Sequence, residues 1–296
     1  MPTPAATLRA MMRRLVDYAG LFPPADLSMA DATARYASYL HSPDAWMLGR
    51  FVVPLERLDE LASCAEPLLR DGGEAWRISV LVGADSQAGV RIRTFNSAHR
   101  GRLMVDVVEC RPMKPGSVAA TIGSLPGEMR IFVELPLVDD PRNGLLEIRN
   151  AGAWAKIRTG GVTADAFPSA REIGRFLARA AELIVPFKAT AGLHHPLCGT
   201  YPLTYADSPP QARMFGFLNV FAAAVFAQAH MSERLLAELV QEEHVEALRF
   251  SDDSLSWRDH TATTTQIARA RASLGLAFGS CSFEEPVAGL RELGLL

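Results

Sequence analysis

Five charged residues lie within segments that otherwise have the apolar composition of buried strands. They are Asp106 and Glu109 in LMVDVVEC, Glu134 in IFVELPL, Lys156 in WAKIRTGG and Lys188 in VPFKATAG. A strand of a parallel sheet is buried on both faces, so a charged side chain within it costs free energy unless it is paired or neutralised. Two lysines in such segments therefore indicate a polar site inside the fold.

Two lysine amines in neighbouring strands could carry out nucleophilic chemistry. An amine held beside a second cation loses its proton more readily, and the neutral amine can attack a carbonyl carbon to form a Schiff base. A nearby carboxylate, such as Glu134, would then move protons as that intermediate forms and breaks down. The alternative interpretation is structural: Lys156 and Lys188 pair with Glu134 and Asp106 and only tie the strands together.

Polar residues also follow the first lysine. Arg158, Thr159, Gly160 and Gly161 could bind an anion, because arginine forms bidentate hydrogen bonds with planar oxyanions and paired glycines let backbone N–H groups approach a phosphate. The alternative is a tight turn between a strand and a helix that binds no ligand.

Two histidines, His194 and His195, follow the Lys188 segment. With Glu109 and Glu134 they could ligate a divalent metal, since imidazole and carboxylate often occur together in such sites. Adjacent histidines usually point apart, however, so we expect them to line a substrate pocket, where one could act as a general base. We therefore predict neither a metal nor another cofactor.

Two further motifs could carry chemistry. Cys281, between Ser280 and Ser282, is a candidate nucleophile, but the sequence identifies no histidine partner for it. The SDDS motif at residues 251–254 could bind a cation or substrate hydroxyls, and it is equally typical of a turn or a helix cap.

The elements that must position these residues alternate between short β-type segments and longer segments of helical periodicity, which is typical of parallel strands joined by helices. The eight predicted strands are residues 51–54, 77–83, 103–110, 130–135, 154–159, 185–190, 247–251 and 276–282. The predicted helices are residues 55–69, 86–99, 116–124, 141–151, 168–183, 209–230 with 232–242, and 261–274.

This alternation predicts an α/β fold, a TIM (β/α)8 barrel of parallel strands with an N-terminal helical extension. We expect a single domain over residues 1–296, with the helical segment at 1–48 and the barrel at 49–296. An alternative places a ninth strand at residues 16–19, in which case the strand at 247–251 or the one at 276–282 lies outside the barrel.

Composition restricts the class of partner. The chain has 296 residues, 49% hydrophobic and 21% charged, with a formal net charge of −3, so no excess of positive charge indicates nucleic-acid binding. No apolar segment is long enough to span a membrane, and no signal peptide is recognisable at the start. The four cysteines are far apart in sequence, which favours reduced thiols and a cytoplasmic location. Homo-oligomer formation stays open, because periodicity does not distinguish an apolar interface helix from a core helix.

Four segments resemble the deoxyribose-phosphate aldolases, which are class I Schiff-base lyases on a TIM barrel. The strand of their catalytic lysine reads approximately K-T-S-T-G, and here Lys156 begins K-I-R-T-G. Their next strand reads approximately F-K-A-x-G-G-[IV], and here Lys188 lies in F-K-A-T-A-G-L. The resemblance implies that Lys156 is the nucleophile and that Lys188 is the cation beside it.

The other two segments lie before and after the lysines. VDVV resembles the strand that carries the family's catalytic aspartate, which implies that Asp106 transfers protons. FGSCSF resembles the family's phosphate-binding turn F-G-x-S-S, which implies that Gly279, Ser280 and Ser282 hold an anionic group.

Departures from the family's motifs indicate a different substrate. Ile157 and Arg158 replace small residues after the first lysine, and residues 194–205 replace a short loop after the second. We predict a class I aldolase-like carbon–carbon lyase whose substrate is a small phosphorylated or carboxylated carbonyl compound. The alternatives are a metal-dependent hydrolase or enolising enzyme that uses Glu109, Glu134 and a histidine, and a catalytically silent barrel that binds an anionic metabolite.

Overall fold

Eight parallel strands close into a barrel in the computed structural model, which describes residues 3–70, 72–112, 116–137 and 140–296. The barrel strands are β1 (Val16–Tyr18), β2 (Leu48–Pro54), β3 (Trp76–Val82), β4 (Leu103–Cys110), β5 (Arg130–Glu134), β6 (Trp154–Arg158), β7 (Phe187–Thr190) and β13 (Gly275–Ser280). Each strand pairs in parallel with its neighbours, and β13 closes the barrel between β7 and β1. The predicted TIM-barrel fold is confirmed.

Helices surround the barrel and connect its strands. They are α1 (Ala6–Met12), α2 (Met29–Leu40), α3 (Leu58–Ala65), α4 (Ala88–Ala98), α5 (Val118–Ile122), α6 (Arg142–Asn150), α7 (Ala170–Leu183), α8 (Phe217–Gln228), α9 (Glu233–Val240), α10 (Thr264–Ser273) and α11 (Glu284–Glu292). Their apolar faces cover the outer surface of the barrel, as where Phe187 of β7 stacks on Phe221 of α8 at 6.0 Å between ring centroids. Within the described residues, no helix combines the length and apolar character that crossing a bilayer requires.

Two small antiparallel sheets lie outside the barrel. One is the hairpin of β8 (Gly199–Pro202) and β9 (Gln211–Met214), and the other contains β10 (Leu248–Phe250), β11 (Ser254–Trp257) and β12 (His260–Thr263). The helix predicted from residue 209 therefore begins only at Phe217, because the residues before it pair in the hairpin.

Of the predicted barrel strands, the seventh needs correction, whereas the first lies within β2. The strand predicted at residues 247–251 is not a barrel strand, because β10 pairs antiparallel with β11 instead. The SDDS motif forms the turn between them, where the Ser251 hydroxyl accepts a hydrogen bond from the backbone of Ser254 at 3.0 Å. The alternative strand at residues 16–19 is present as β1, so the segment 1–48 supplies a barrel strand as well as helices.

The register of the strands sets which charged residues lie side by side. Glu134 pairs with Lys156, and Lys156 pairs with Lys188, across β5, β6 and β7. In β4 the register with β3 shifts between Val105 and Val107, which leaves Asp106 as an extra, bulged residue. Because successive side chains of a strand alternate between faces, this extra residue lets Asp106 and Glu109 both contact side chains inside the barrel.

Candidate functional site

A buried cluster of lysines and carboxylates lies within the barrel, and Lys188 is at its centre. The Lys188 amine donates to Asp17 Oδ2 at 2.6 Å and to Glu109 Oε1 at 2.5 Å, and its side chain is only 1% exposed. Burial opposes its charge, but the two carboxylates outweigh burial and raise the pKa of Lys188 above its ordinary value. Lys188 is therefore a fixed ammonium group whose charge two carboxylates compensate.

Glu109 connects the two lysines. One carboxylate oxygen accepts from Lys188 and from the Ser79 hydroxyl at 2.7 Å, and the other lies 3.0 Å from Lys156 Nζ. Burial would raise the pKa of Glu109, but the positive charges of Lys188 and Lys156 outweigh it and hold that pKa below its usual range. Glu109 is thus an ionised carboxylate in contact with both amines.

Lys156 has looser contacts than Lys188. Its amine lies 3.0 Å from Glu109 and 3.5 Å from Glu134 Oε2. Glu134 is held in turn by Arg111, whose Nε donates to its other oxygen at 2.9 Å. The predicted pairing of Lys156 with Glu134 is present, whereas Lys188 pairs with Asp17 and Glu109 rather than with Asp106.

Both lysines reach a cavity of about 580 Å³ at the carboxyl ends of the strands. Eight of the predicted site residues line it: Glu109, Lys156, Arg158, Gly161, Lys188, His194, His195 and Gly279. The β8–β9 hairpin contributes Leu203 and Tyr205 to its wall, and the residues after β1 contribute Phe22. A cavity at this end of a parallel barrel is where loops from several strands converge, and ligands bind there in TIM barrels generally.

Asp106 is held apart from this cluster. Its carboxylate accepts two hydrogen bonds from Arg50, at 2.6 and 2.7 Å, and further bonds from Arg77. Burial opposes its charge, but these guanidinium groups hold the pKa of Asp106 below its ordinary value. Among the described residues, neither lysine forms an ion pair with it, so the proton transfer implied for Asp106 has no geometric basis here.

In the segment after Lys156, some residues line the cavity and others only pack within the loop. Arg158 and Gly161 line the cavity. The Thr159 hydroxyl donates to the backbone oxygen of Ala191 at 2.6 Å, and Gly160 packs so closely on Phe167 that a β-carbon there would lie 2.3 Å from its ring. Thr159 and Gly160 therefore shape the loop, while Arg158, which has no carboxylate partner among the described residues, faces the ligand space.

The residues at the end of β13 and in the turn after it also differ in whether they line the cavity. Gly279 lines the cavity, whereas the Ser280 side chain is buried and accepts a weak hydrogen bond from the backbone of Ser282 at 3.4 Å. The Ser282 hydroxyl accepts from the backbone N–H of Glu285 at 3.2 Å, at the start of α11. Neither serine lines the cavity, so their hydroxyl groups are not placed to bind a phosphate there.

The two histidines have different surroundings. His194 Nδ1 lies 3.0 Å from Glu285 Oε2 and 3.9 Å from the sulfur of Cys281. Burial opposes its charge, but Cys281 and Glu285 outweigh burial and raise the pKa of His194 to about 9. His195 stacks on Tyr201 at 3.6 Å, and burial together with the charge of His194 lowers its pKa to about 4. At neutral pH, His194 is the charged imidazole and His195 the neutral one.

The residues considered as candidate metal ligands do not lie together in one site. Within the part of the chain that the structure describes, no three His, Cys, Asp or Glu side chains are arranged to hold a metal ion. Glu109 and Glu134 instead contact lysines, and His194 contacts Glu285.

Sequence reasoning missed two parts of the site. Asp17 was not recognised because its strand is only three residues long, although a charged residue in the run LVDYAG was a usable signal. The histidine partner of Cys281 was not recognised because His194 lies 87 positions away in sequence. Only the closure of the barrel brings these residues together.

Fold and site together define a TIM barrel with a polar, lysine-containing cavity at its carboxyl end. No model of a known protein family matches the chain, and no curated protein matches its sequence. The likeness to the aldolases is thus one of motifs and of barrel architecture.

Proposed function

We propose that this barrel is a carbon–carbon lyase of the Schiff-base type, with Lys156 as the nucleophile. The observation that carries the proposal is the position of Lys156: its amine reaches the cavity, it is 7% exposed, and two carboxylates lie within 3.5 Å of its nitrogen. A lysine that only tied strands together would not need to reach a ligand space. Lysine is also rare in this sequence, which has three lysines and 27 arginines, and two of those three lie side by side here.

The neighbouring groups suit each step of such a reaction. Glu134 can take the proton that the Lys156 ammonium must lose before it attacks a carbonyl carbon. The same carboxyl group can return a proton to the carbinolamine oxygen, which leaves as water when the iminium forms. The bond between the carbon attached to the iminium carbon and the hydroxyl-bearing carbon beyond it then breaks. Its electron pair forms an enamine, the hydroxyl group gives its proton to the Glu134 carboxylate, and an aldehyde leaves. Protonation of the enamine and hydrolysis release the second product and restore Lys156.

Lys188 acts in this proposal as a positioning residue. Its ammonium group fixes Glu109 in the ionised state and in contact with Lys156. Arg158 supplies the positive charge for the anionic end of the substrate, since it lines the cavity and has no carboxylate partner among the described residues. The supported substrate class is a small carbonyl compound with a carboxylate or phosphate group.

Borohydride trapping tests this proposal directly. The full-length protein is incubated with a panel of small aldehydes and keto acids, reduced with sodium borohydride and measured by intact mass. We expect one stable adduct per chain with a productive substrate, and peptide mapping should place it on Lys156. The low lysine content keeps the background small, because only Lys114, Lys188 and the N-terminal amine compete.

Matched variants decide the role of each lysine. Lys156→Arg keeps the positive charge beside Glu109 and should abolish the adduct. Lys188→Arg keeps an ammonium-like charge and should slow adduct formation without moving it to another residue. An adduct that persists in Lys156→Arg, or that maps to Lys114 in the native protein, contradicts the proposal. No adduct across the panel, together with ligand-induced stabilisation that requires Arg158, would instead support a barrel that only binds anions.

A further inference from the structure

A cysteine with three polar neighbours lines the same cavity as the lysines. The sulfur of Cys281 lies 3.9 Å from His194 Nδ1 and 3.5 Å from the hydroxyl of Tyr205. The same nitrogen of His194 lies 3.0 Å from Glu285. All four side chains line the cavity, while Cys281 itself is only 5% exposed. Cys281 is thus open to a cavity ligand and shielded from bulk solvent.

Four separate segments bring this group together. Cys281 follows β13, His194 follows β7, Tyr205 belongs to the loop of the β8–β9 hairpin, and Glu285 lies in the first turn of α11. The Glu285 carboxylate orients the imidazole of His194, and that imidazole and the Tyr205 hydroxyl both lie against the sulfur of Cys281. A cysteine that lines a cavity beside a histidine is placed to act as a nucleophile.

We propose that Cys281 is a second nucleophile of this cavity, which adds to a small aldehyde and holds it as a hemithioacetal. In this step the sulfur–carbon bond forms and the C=O π bond breaks. The carbonyl oxygen takes a proton from His194, and the thiol proton of Cys281 replaces it on the imidazole. The reverse step returns the proton of the hydroxyl group to His194 and a proton from His194 to the sulfur, and it releases the aldehyde. The step is neither an oxidation nor a reduction, so no other reactant is required.

The choice of an aldehyde rests on the proposed function, because cleavage through a Lys156 Schiff base releases one. The two nucleophiles would then serve the two carbonyl partners of one reaction: Lys156 would bind the partner that becomes the enamine, and Cys281 would hold the aldehyde. Tyr205 lies on the hairpin that forms part of the cavity wall, so the aldehyde site would include residues from outside the barrel.

Competitive alkylation tests whether Cys281 is reactive. The full-length protein is treated with a limiting amount of iodoacetamide at pH 7, and labelling of each cysteine is followed by peptide mass spectrometry. We expect Cys281 to be labelled before Cys64, although Cys64 is the more exposed thiol. His194→Gln and Tyr205→Phe should each slow the labelling of Cys281 at least tenfold. Labelling of Cys64 should not change, and it reports in every variant that the fold is intact.

Protection by glycolaldehyde tests the class of ligand. The aldehyde should slow the alkylation of Cys281 in the native protein and also in Lys156→Met, where no Schiff base can form. Protection in Lys156→Met supports the hemithioacetal whether or not the lyase proposal holds. Borohydride trapping in Cys281→Ser tests the lyase proposal separately, because Lys156 is intact there.

Two results would overturn the inference. One is labelling of Cys281 no faster than that of Cys64, or labelling that does not change in His194→Gln. The other is protection of Cys281 that disappears in Lys156→Met, because the aldehyde would then be held on the lysine and would only block access to the thiol.

Discussion

Lys188 shows how one residue can serve both the fold and the site. Its ammonium group is the partner of two buried carboxylates, Asp17 and Glu109, which come from strands β1 and β4. A buried ion pair contributes little net stability compared with apolar packing, but removing one partner leaves the other charges uncompensated. Lys188 therefore links distant parts of the barrel, and at the same time it orients the carboxylate that contacts Lys156.

We predict that Lys188→Met destabilises the protein by about 3–5 kcal/mol, because Asp17 and Glu109 would both be buried without their cation. Urea-induced unfolding measures the change. Arg14→Ala is the matched control, since Arg14 and Glu74 form an exposed ion pair at 2.8 Å and such a pair contributes at most about 1 kcal/mol. Equal losses in the two variants would show that Lys188 is not the centre of the buried cluster.

His194 should make stability depend on pH in a defined window. Its pKa is raised to about 9 in the folded protein, so it binds a proton more tightly there than in the unfolded chain, where its pKa is about 6.5. The resulting stabilisation is fully present below pH 6.5 and is lost as the pH rises to about 9. We expect a loss of about 1–3 kcal/mol over this range, measured by urea unfolding at several pH values.

His194→Gln should flatten that dependence, while His41→Gln, at an exposed position, should leave it unchanged. His195 acts in a different window, because its pKa is lowered to about 4. It destabilises the folded state below pH 6.5 and ceases to do so as the pH rises. A slope between pH 6.5 and 9 that persists in His194→Gln would assign it to another group.

At the scale of elements, two glycines let the loops after β6 and β7 approach each other. Gly192 has a φ of +79°, and a β-carbon there would lie 2.9 Å from the backbone of Gly160 and 2.9 Å from the ring of Phe167. This close approach sets the path of the loop that follows Arg158. The shape of the cavity wall at this point therefore depends on the absence of side chains.

Gly192→Ala should destabilise the protein by about 2–3 kcal/mol, from an unfavourable φ and from the steric contact together. Gly101→Ala is the matched control: its φ is +78°, and nothing lies within 4 Å of the added carbon. That variant should lose only about 1 kcal/mol. Urea unfolding of both proteins separates the two contributions, and identical losses would mean that the loops can move apart freely.

The strands that the sequence predicted well are those whose apolar runs are continuous, because burial on both faces leaves a strong local pattern. The segment at residues 247–251 is less apolar, since it contains Arg249 and Ser251, and it pairs in a local hairpin instead of in the barrel. Local pattern does not distinguish these pairing partners. The lysine pair was predictable because charge is conspicuous in apolar strands. The bulge at Asp106 was not, so its side chain was assigned to the wrong cluster.

At the scale of the whole molecule, closure of the barrel joins the two ends of the chain. β1, at residues Val16–Tyr18, pairs with β13 on one side and with β2 on the other. Its Asp17 also accepts a hydrogen bond from the backbone of Arg50 at 2.7 Å and binds Lys188. The N-terminal segment is thus part of the barrel wall, as in the alternative with a strand at residues 16–19, and it is also part of the charged cluster.

A fragment that begins at residue 49 should therefore fail to fold cooperatively. Without β1, strands β2 and β13 have unpaired edges, and Lys188 and Glu109 lose Asp17 from their buried network. We expect no sigmoidal unfolding transition in urea and exposure of apolar surface for this fragment. Co-expression of residues 1–48 as a separate chain should restore the transition, because the missing strand can pair from outside the fragment. Cooperative unfolding of the fragment alone would instead show that seven strands and their helices close the core, and that β1 serves mainly to bring Asp17 to the lysines.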